Sequence, residues 1–257
     1  MAKLIEVFED LSNLGGFVTF DGVNVFQKYD ADLVSYAISP GSVSTTYRRA
    51  SGKSSFHMYN FDFNASTMTL HFYVHGFSQD DAMMKVNGLV RAAKNPVVKF
   101  IDDEPDFEYA TMLDSYSVSY TEVEWYYDVT IVTKAIRRMK LRTVTAPSVT
   151  SVSFDNPGTI ASGAKVDVVR AELDKNVHLS LNFGDPEVSQ DIAIKEMTGN
   201  VNFVIDGIDG KVLDRNGVNK ILQTDLVKFP KVKPGMNSLK SNKPLSWVIS
   251  FYPTFEC

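Results

Sequence analysis

"EVEWYYDVTIVT", Glu122 to Thr133, sets apolar and aromatic residues against acidic and hydroxylated ones at a two-residue spacing. Val123, Trp125, Tyr127, Val129 and Ile131 share one parity, while Glu122, Glu124, Asp128 and Thr130 take the other. Side chains on a strand alternate between faces, so this spacing predicts one long strand with a buried side and a wet side. Just upstream, "SYSVSY" puts Tyr116, Val118 and Tyr120 on the opposite parity. That predicts a register change near Thr121 through a turn or a bulge, with a hairpin the favoured form.

The two-residue period recurs outward from there. In the first half it predicts strands at "GFVTF", "FHMYNFDF", "TMTLHFYVHGF" and "PVVKFI", each bounded by Gly, Pro, Asn, Asp or Ser. The exception is 78–94, "SQDDAMMKVNGLVRAAK", where Ala82, Met83, Val86, Leu89, Val90 and Ala93 recur at helical spacing. Ser78 with Asp81 three residues on predicts a capped start, and Asp80 and Asp81 suit the positive end of the helix dipole. Asn95-Pro96 ends the helix. After the basic run "KAIRRMKLR" the text turns small and hydroxylated, "RTVTAPSVTSVS", which marks a domain boundary near Ala146. Beyond it "KVDVVRAEL", "VHLSLNF", "QDIAIKE", "VNFVID" and "LSWVISFYPTF" read as the short strands of an all-β sandwich. The expected organisation is mainly β, with a sandwich-like domain and one helix over 1–146 and a second sandwich over 147–257.

Composition narrows the function classes. With 257 residues, 44% of them apolar, the chain can fill a sizeable core. A formal charge of −5 argues against a dedicated nucleic-acid binder, which would show a basic face. The single cysteine, Cys257, allows no intrachain disulfide and no cysteine-based metal cluster. No apolar run approaches the roughly 20 residues of a membrane span, and the first residues lack the pattern of a signal peptide. A soluble, unprocessed protein is expected.

The chemical motifs resolve into turns. "VIDGIDGKVLDRNG", Val204 to Gly217, carries three aspartates, but counting from Asp206 puts Ile208, Gly210 and Gly217 at positions 3, 5 and 12 of a calcium loop. Oxygen ligands are required there, so Asp206-Gly207, Asp209-Gly210 and Asn216-Gly217 are expected as turns. "SGKSS", 51–55, lacks the earlier Gly of a phosphate loop, since that position is Tyr47. With Arg48, Arg49 and Lys53 it reads as a basic surface loop able to meet an acidic partner. His71 and His75 on a strand stand roughly 13 Å apart, too far to share an ion. They are expected as surface histidines sharing a face with Tyr73. The acidic run "DDEPDFE", Asp102 to Glu108, reads as a Pro-containing turn and not as a glycosidase pair. No catalytic residue, cofactor or metal site is expected, and the chain does not read as an enzyme.

Four stretches together resemble the distal tail proteins of long, flexible-tailed bacteriophages. They are "FVTFDGVNVFQKYDADLVSYAIS" leading into "YRRASGKSS"; "FDFNASTMTLHFYVHGFSQDDAMMKVNGLVRAAKNPVVKFIDDEPDFEYAT"; "FDNPGTIASGAKVDV"; and the Asp-Gly turn at Asp206 followed by "FPKVKPGMNSL". The resemblance implies a non-enzymatic tail-tip hub in the virion, assembled in the host cytoplasm. It implies six copies closed into a ring through the N-terminal domains, and a galectin-like C-terminal sandwich projecting outward. The implied partners are the tail tube protein, the tail-associated lysin or fibre protein and receptor-binding or baseplate proteins, with DNA passing through the lumen unbound. Tyr126 and Val132, apolar residues on the wet parity of the long strand, are the candidate self-contacts. The alternative is a carbohydrate-binding module for host wall polysaccharide. It lacks exposed aromatics, because Trp247 shares parity with Ile249 and Phe251 and is expected in the core.

Overall fold

The computed structural model describes residues 18–41, 43–49, 56–63, 65–170, 176–182, 190–195, 201–214, 216–224, 226 and 229–256. They fall into two units, one running to Arg138 and the other Met139–Phe255.

The first unit is built on strands β1 (Val18–Phe20), β2 (Val23–Asn24), β3 (Ala31–Ser39), β6 (Ser66–His75), β7 (Val97–Phe100), β8 (Phe107–Tyr120) and β9 (Tyr126–Met139). They form one sheet in the order β2-β1-β7-β8-β9-β6-β3. β4 (Val43–Arg49) and β5 (Phe56–Phe63) pair separately as a two-stranded ribbon. Alternation sends Met68, Leu70, Phe72 and Val74 of β6 and Val129 and Ile131 of β9 to one face, where all are fully buried. Ala82, Val86 and Leu89 of the helix Gln79–Ala92, with its C-cap Ala93, close over that face. Its start is capped as predicted, with the Asp81 N–H donating to Ser78 Oγ at 3.2 Å. Met83, placed on the apolar stripe by spacing, is 37% exposed; it lies one position off the line through Ala82, Val86 and Leu89.

Two details of this unit differ from expectation. Val123 and Trp125 do not continue the long strand. They sit in the hairpin turn between β8 and β9, which Thr121 ties by donating its hydroxyl to the Val123 and Tyr126 carbonyls at 3.1 and 3.0 Å. A second, five-residue helix, Val25–Tyr29, follows β2 where only strand and loop are predicted. Asn24 caps it, accepting from the Gln27 N–H at 3.0 Å, and only Val25 is buried, which is too little for any period to show.

The second unit contains β10 (Arg142–Asn156), β11 (Ser162–Arg170), β12 (Asn176–Asn182), β13 (Gln190–Lys195), β14 (Val201–Asp206), β15 (Lys211–Asp214), β16 (Lys231–Val232) and β17 (Gly235–Phe251). β17 is its spine. It pairs with β10 along nearly its whole length, and on the other side with β12 through Ser238–Ser241 and with β11 through Ser246–Phe251. The stretch expected to mark the domain boundary is a strand, and Ala146 lies within it opposite Trp247. Pro147 is tolerated because β10 pairs with β17 alone and is bulged between Ala146 and Val149, next to Ser148 at φ +49°. Trp247, Ile249 and Phe251 are fully buried as predicted, with Val166, Phe203, Ile205 and Leu239 around them. No α-helix occurs in this unit among the described residues.

Candidate interaction surfaces

Two of the three aspartates of "VIDGIDGKVLDRNG" accept from backbone N–H groups, and Asp209 pairs with Lys211 at 3.3 Å. Asp206 Oδ1 accepts from the N–H groups of Ile208 and Asp209 at 2.9 and 3.0 Å. Asp214 Oδ1 accepts from Asn216 and Val218 at 2.8 and 2.9 Å. The Val218 N–H, with Asn216 and Lys220 adding to it, holds the Asp214 carboxyl below the usual carboxylate range. Gly210 and Gly217 take the positive φ that such turns demand, at +68° and +76°. Among the described residues no cluster of three or more His, Cys, Asp or Glu side chains could hold a metal ion.

The acidic turn after β7 is likewise consumed by the fold. Arg138 Nε donates to Glu108 Oε1 at 2.9 Å, and the Arg137 guanidinium lies 3.8 Å from the centre of the Phe107 ring. Tyr109 donates its hydroxyl to Glu104 at 2.6 Å. Tyr36 donates to Asp103 at 3.0 Å, and burial together with that bond pushes the Tyr36 phenol up to about 12.

The predicted basic loop begins within a strand. Arg48 and Arg49 end strand β4, opposite His57 and Phe56 of β5, and Lys53 and the rest of "SGKSS" lie outside the described residues.

Tyr126 and Val132 lie on β9, which β8 and β6 flank on both sides, so neither residue is on a sheet edge. Both are half-buried on the face turned away from the core. There the Tyr126 ring stacks on His75 at 5.3 Å, and Val132 stands opposite Thr69. The same face carries a cross-strand row, Asp32 of β3, Tyr73 of β6 and Asp128 of β9. His71 and His75 lie half-buried on this outer face, which they share with Tyr73 as expected, and His71 Nε2 lies 2.6 Å from Asp128 Oδ1. Burial raises the Asp32 carboxyl above its ordinary range, with His75 opposing the shift.

The free edge lies one strand earlier. β7 pairs with β8 only at Ala110 and Tyr109, and the Leu113 N–H makes a last bond to Lys94 O at 2.7 Å. From Asp114 to Tyr120, β8 has β9 on one side and, among the described residues, no strand on the other. Every residue of this half is exposed, including Tyr116 at 55%, Val118 at 37% and Tyr120 at 59%. At the tip, Trp125 is held at φ +64°, a left-handed conformation that costs a bulky side chain about 1 kcal/mol or more. Solitary domains usually blunt such an edge with Lys, Pro or a bulge. "DSYSVSY" has neither Lys nor Pro. Its alternation of Ser with Tyr and Val is the visible signal of this edge.

No protein-family profile matches the chain, and no curated protein matches it. Solved structures do. The chain is similar to the Dit protein of phage SPP1, described as a paradigm of the hub adsorption apparatus in phages that infect Gram-positive bacteria. Identity is 14%, the match covers 92% of this chain and 98% of that one, and the TM-score is 0.68. Chains of the phage P2 baseplate in its activated conformation, with calcium and with strontium, match at TM-scores of 0.48 and 0.46 and identities of 9% and 10%, covering 85% of this chain and 90% of theirs. The SPP1 likeness extends over nearly all of both chains and shows that this sequence takes the two-unit, β-rich fold of a phage Dit-type protein.

Proposed function

We propose that this chain is a structural hub of a phage tail tip, six copies of which close into a ring through their N-terminal units. The observation that carries the proposal is the free outer edge of β8, Asp114 to Tyr120, with its exposed Tyr116, Val118 and Tyr120. An apolar edge is a hazard on a monomer but is protected once a cyclic assembly covers it. The fold likeness to the SPP1 Dit protein supports the same reading. In it, the ring joins the tail tube to the tail-associated lysin or fibre protein, DNA passes through the lumen, and the C-terminal unit, read as a galectin-like sandwich, offers a platform for receptor-binding proteins.

A lectin built on a tryptophan platform is not favoured, since Trp247 is sealed in the core. The test is the mass and shape of the purified protein, by light scattering and negative-stain microscopy. The wild type gives closed rings, and the double variant Tyr116→Lys, Val118→Lys stays folded but runs as a monomer. A wild type that remains monomeric at high concentration overturns the proposal, as does a double variant that still closes.

A further inference from the structure

The dipeptide Asn-Gly occurs at Asn87-Gly88 and again at Asn216-Gly217, and both asparagines are exposed. Glycine has no side chain to shield its amide nitrogen, so in a flexible chain that nitrogen attacks the side-chain amide of the asparagine before it. By sequence the two sites are equivalent. The fold makes them different.

Gly88 lies inside the long helix, Gln79–Ala92. An interior N–H there is bonded to the carbonyl four residues back and points along the axis, away from the side chain of the preceding residue. Freeing it means unwinding turns that bury Val86 and Leu89 in the core. The Tyr29 ring also stands 3.0 Å from where a Gly88 Cβ would sit, which leaves this stretch of backbone little room to turn.

Gly217 lies in the turn after β15 at φ +76°, and a Cβ built on it would meet nothing within 4 Å. Its N–H donates to the Asp214 carbonyl at 3.0 Å, the closing bond of a four-residue turn. Asn216, Gly217, Val218 and Asn219 are all exposed, so this bond opens without breaking any core contact. The attacking nitrogen is therefore held by one turn bond here and by a packed helix at Gly88.

We propose that Asn216 is a site of spontaneous deamidation in the folded protein and that Asn87 is not. Gly217 N attacks Asn216 Cγ and gives its proton to solvent. The N–Cγ bond forms, the Cγ–Nδ2 bond breaks, and Nδ2 takes a proton from water and leaves as ammonia. Water then opens the five-membered imide. Attack at Cγ breaks the bond just made and leaves aspartate; attack at the main-chain carbonyl carbon breaks its bond to Gly217 N and leaves isoaspartate. Either product adds a carboxylate close to Asp214, which already pairs with Lys220 at 3.8 Å. Isoaspartate also lengthens the main chain by one carbon between the Asn216 and Val218 N–H groups, which Asp214 Oδ1 now accepts at 2.8 and 2.9 Å, and so misaligns them. The modification needs no enzyme and stands whether or not the chain forms rings.

Peptide mass spectrometry on the full chain, held at physiological temperature and mildly alkaline pH, tests this, with a second sample unfolded in urea as the timer. In the folded chain the Asn216 peptide gains the mass of deamidation and accepts methyl groups from an isoaspartyl methyltransferase, while the Asn87 peptide keeps its mass. The ratio of the Asn216 rate to the Asn87 rate exceeds the ratio in urea by at least about tenfold. Gly217→Ala slows conversion at Asn216 by about tenfold, because its methyl crowds the attacking nitrogen, and leaves Asn87 as it was. The proposal is overturned if the ratio is the same folded and unfolded, or if Asn87 converts first. It is equally overturned if Asn216 is intact when the unfolded chain has fully reacted, or if Gly217→Ala leaves the Asn216 rate unchanged.

Discussion

Replacing Trp247 by Phe should destabilise the second unit by about 2–3 kcal/mol. The indole is fully buried, stands opposite Ala146 of β10 and Val168 of β11, and donates Nε1–H to the Val149 carbonyl at 3.0 Å. That carbonyl sits where β10 bulges, between the register shifts at Ala146/Val149 and Val149/Ser151, and the indole satisfies it. Phe removes the donor, worth about 1 kcal/mol net and more if the carbonyl stays dry. It also removes two ring carbons from a packed site, about another 1.5 kcal/mol at roughly 0.8 kcal/mol per buried carbon. For a unit of this size the total corresponds to a fall of roughly 10 °C in melting temperature. Differential scanning calorimetry with urea unfolding followed by far-UV circular dichroism measures it. Trp125→Phe is the internal control, because Trp125 is 38% exposed at the hairpin tip and its loss should stay within about 0.5 kcal/mol. The chain has two tryptophans, so each variant leaves one, and the control should retain the blue-shifted emission of the buried indole. Equal effects from the two substitutions, or a loss below about 0.5 kcal/mol in Trp247→Phe, would refute the reasoning about the spine of this unit.

Further outcomes follow from single contacts. Gly207→Ala would put a Cβ 2.2 Å from the Pro230 carbonyl and 2.8 Å from that of Ala164, both backbone, so it should cost more than about 2 kcal/mol in urea unfolding. Gly217→Ala, at φ +76° in open space, should cost only about 1 kcal/mol, and a reversed order would count against the packing described. Ser78→Ala should lose about 1 kcal/mol by removing the cap of the long helix, with no change in oligomer mass. Asp32→Asn should stabilise the first unit at neutral pH. The folded carboxyl is raised, so its contribution is fully present below the unfolded value of about 3.8 and is lost as pH rises through the folded value. The variant's advantage over wild type should therefore shrink as pH falls from 7 towards 4, and an advantage that grows instead would refute a raised Asp32 carboxyl.

Much of the fold was written in local chemistry. The alternation in β6, β9 and β17 assigned the core faces, because a strand on a half-buried sheet has only two sides to offer. The helix was legible from Ser78 and its apolar stripe, and the aspartates of Val204 to Gly217 were legible as turns because a loop that holds calcium needs oxygens where this one has Ile208 and two glycines. Other features depend on partners distant in sequence. The small, hydroxylated text of 142–153 marked a boundary and showed no strand period, yet pairing with β17, about a hundred residues away, makes it a strand. Strand order decided that β9 is interior and that the free edge belongs to the outer half of β8. That Asp167 Oδ1 is buried without a donor among the described residues was equally invisible, since a carboxylate lacks a donor only by virtue of what the neighbouring strands bring beside it. Periodicity reports which side of an element is dry; which neighbour dries it, and which edge and which acceptor are left over, is decided by contacts that only the assembled chain makes.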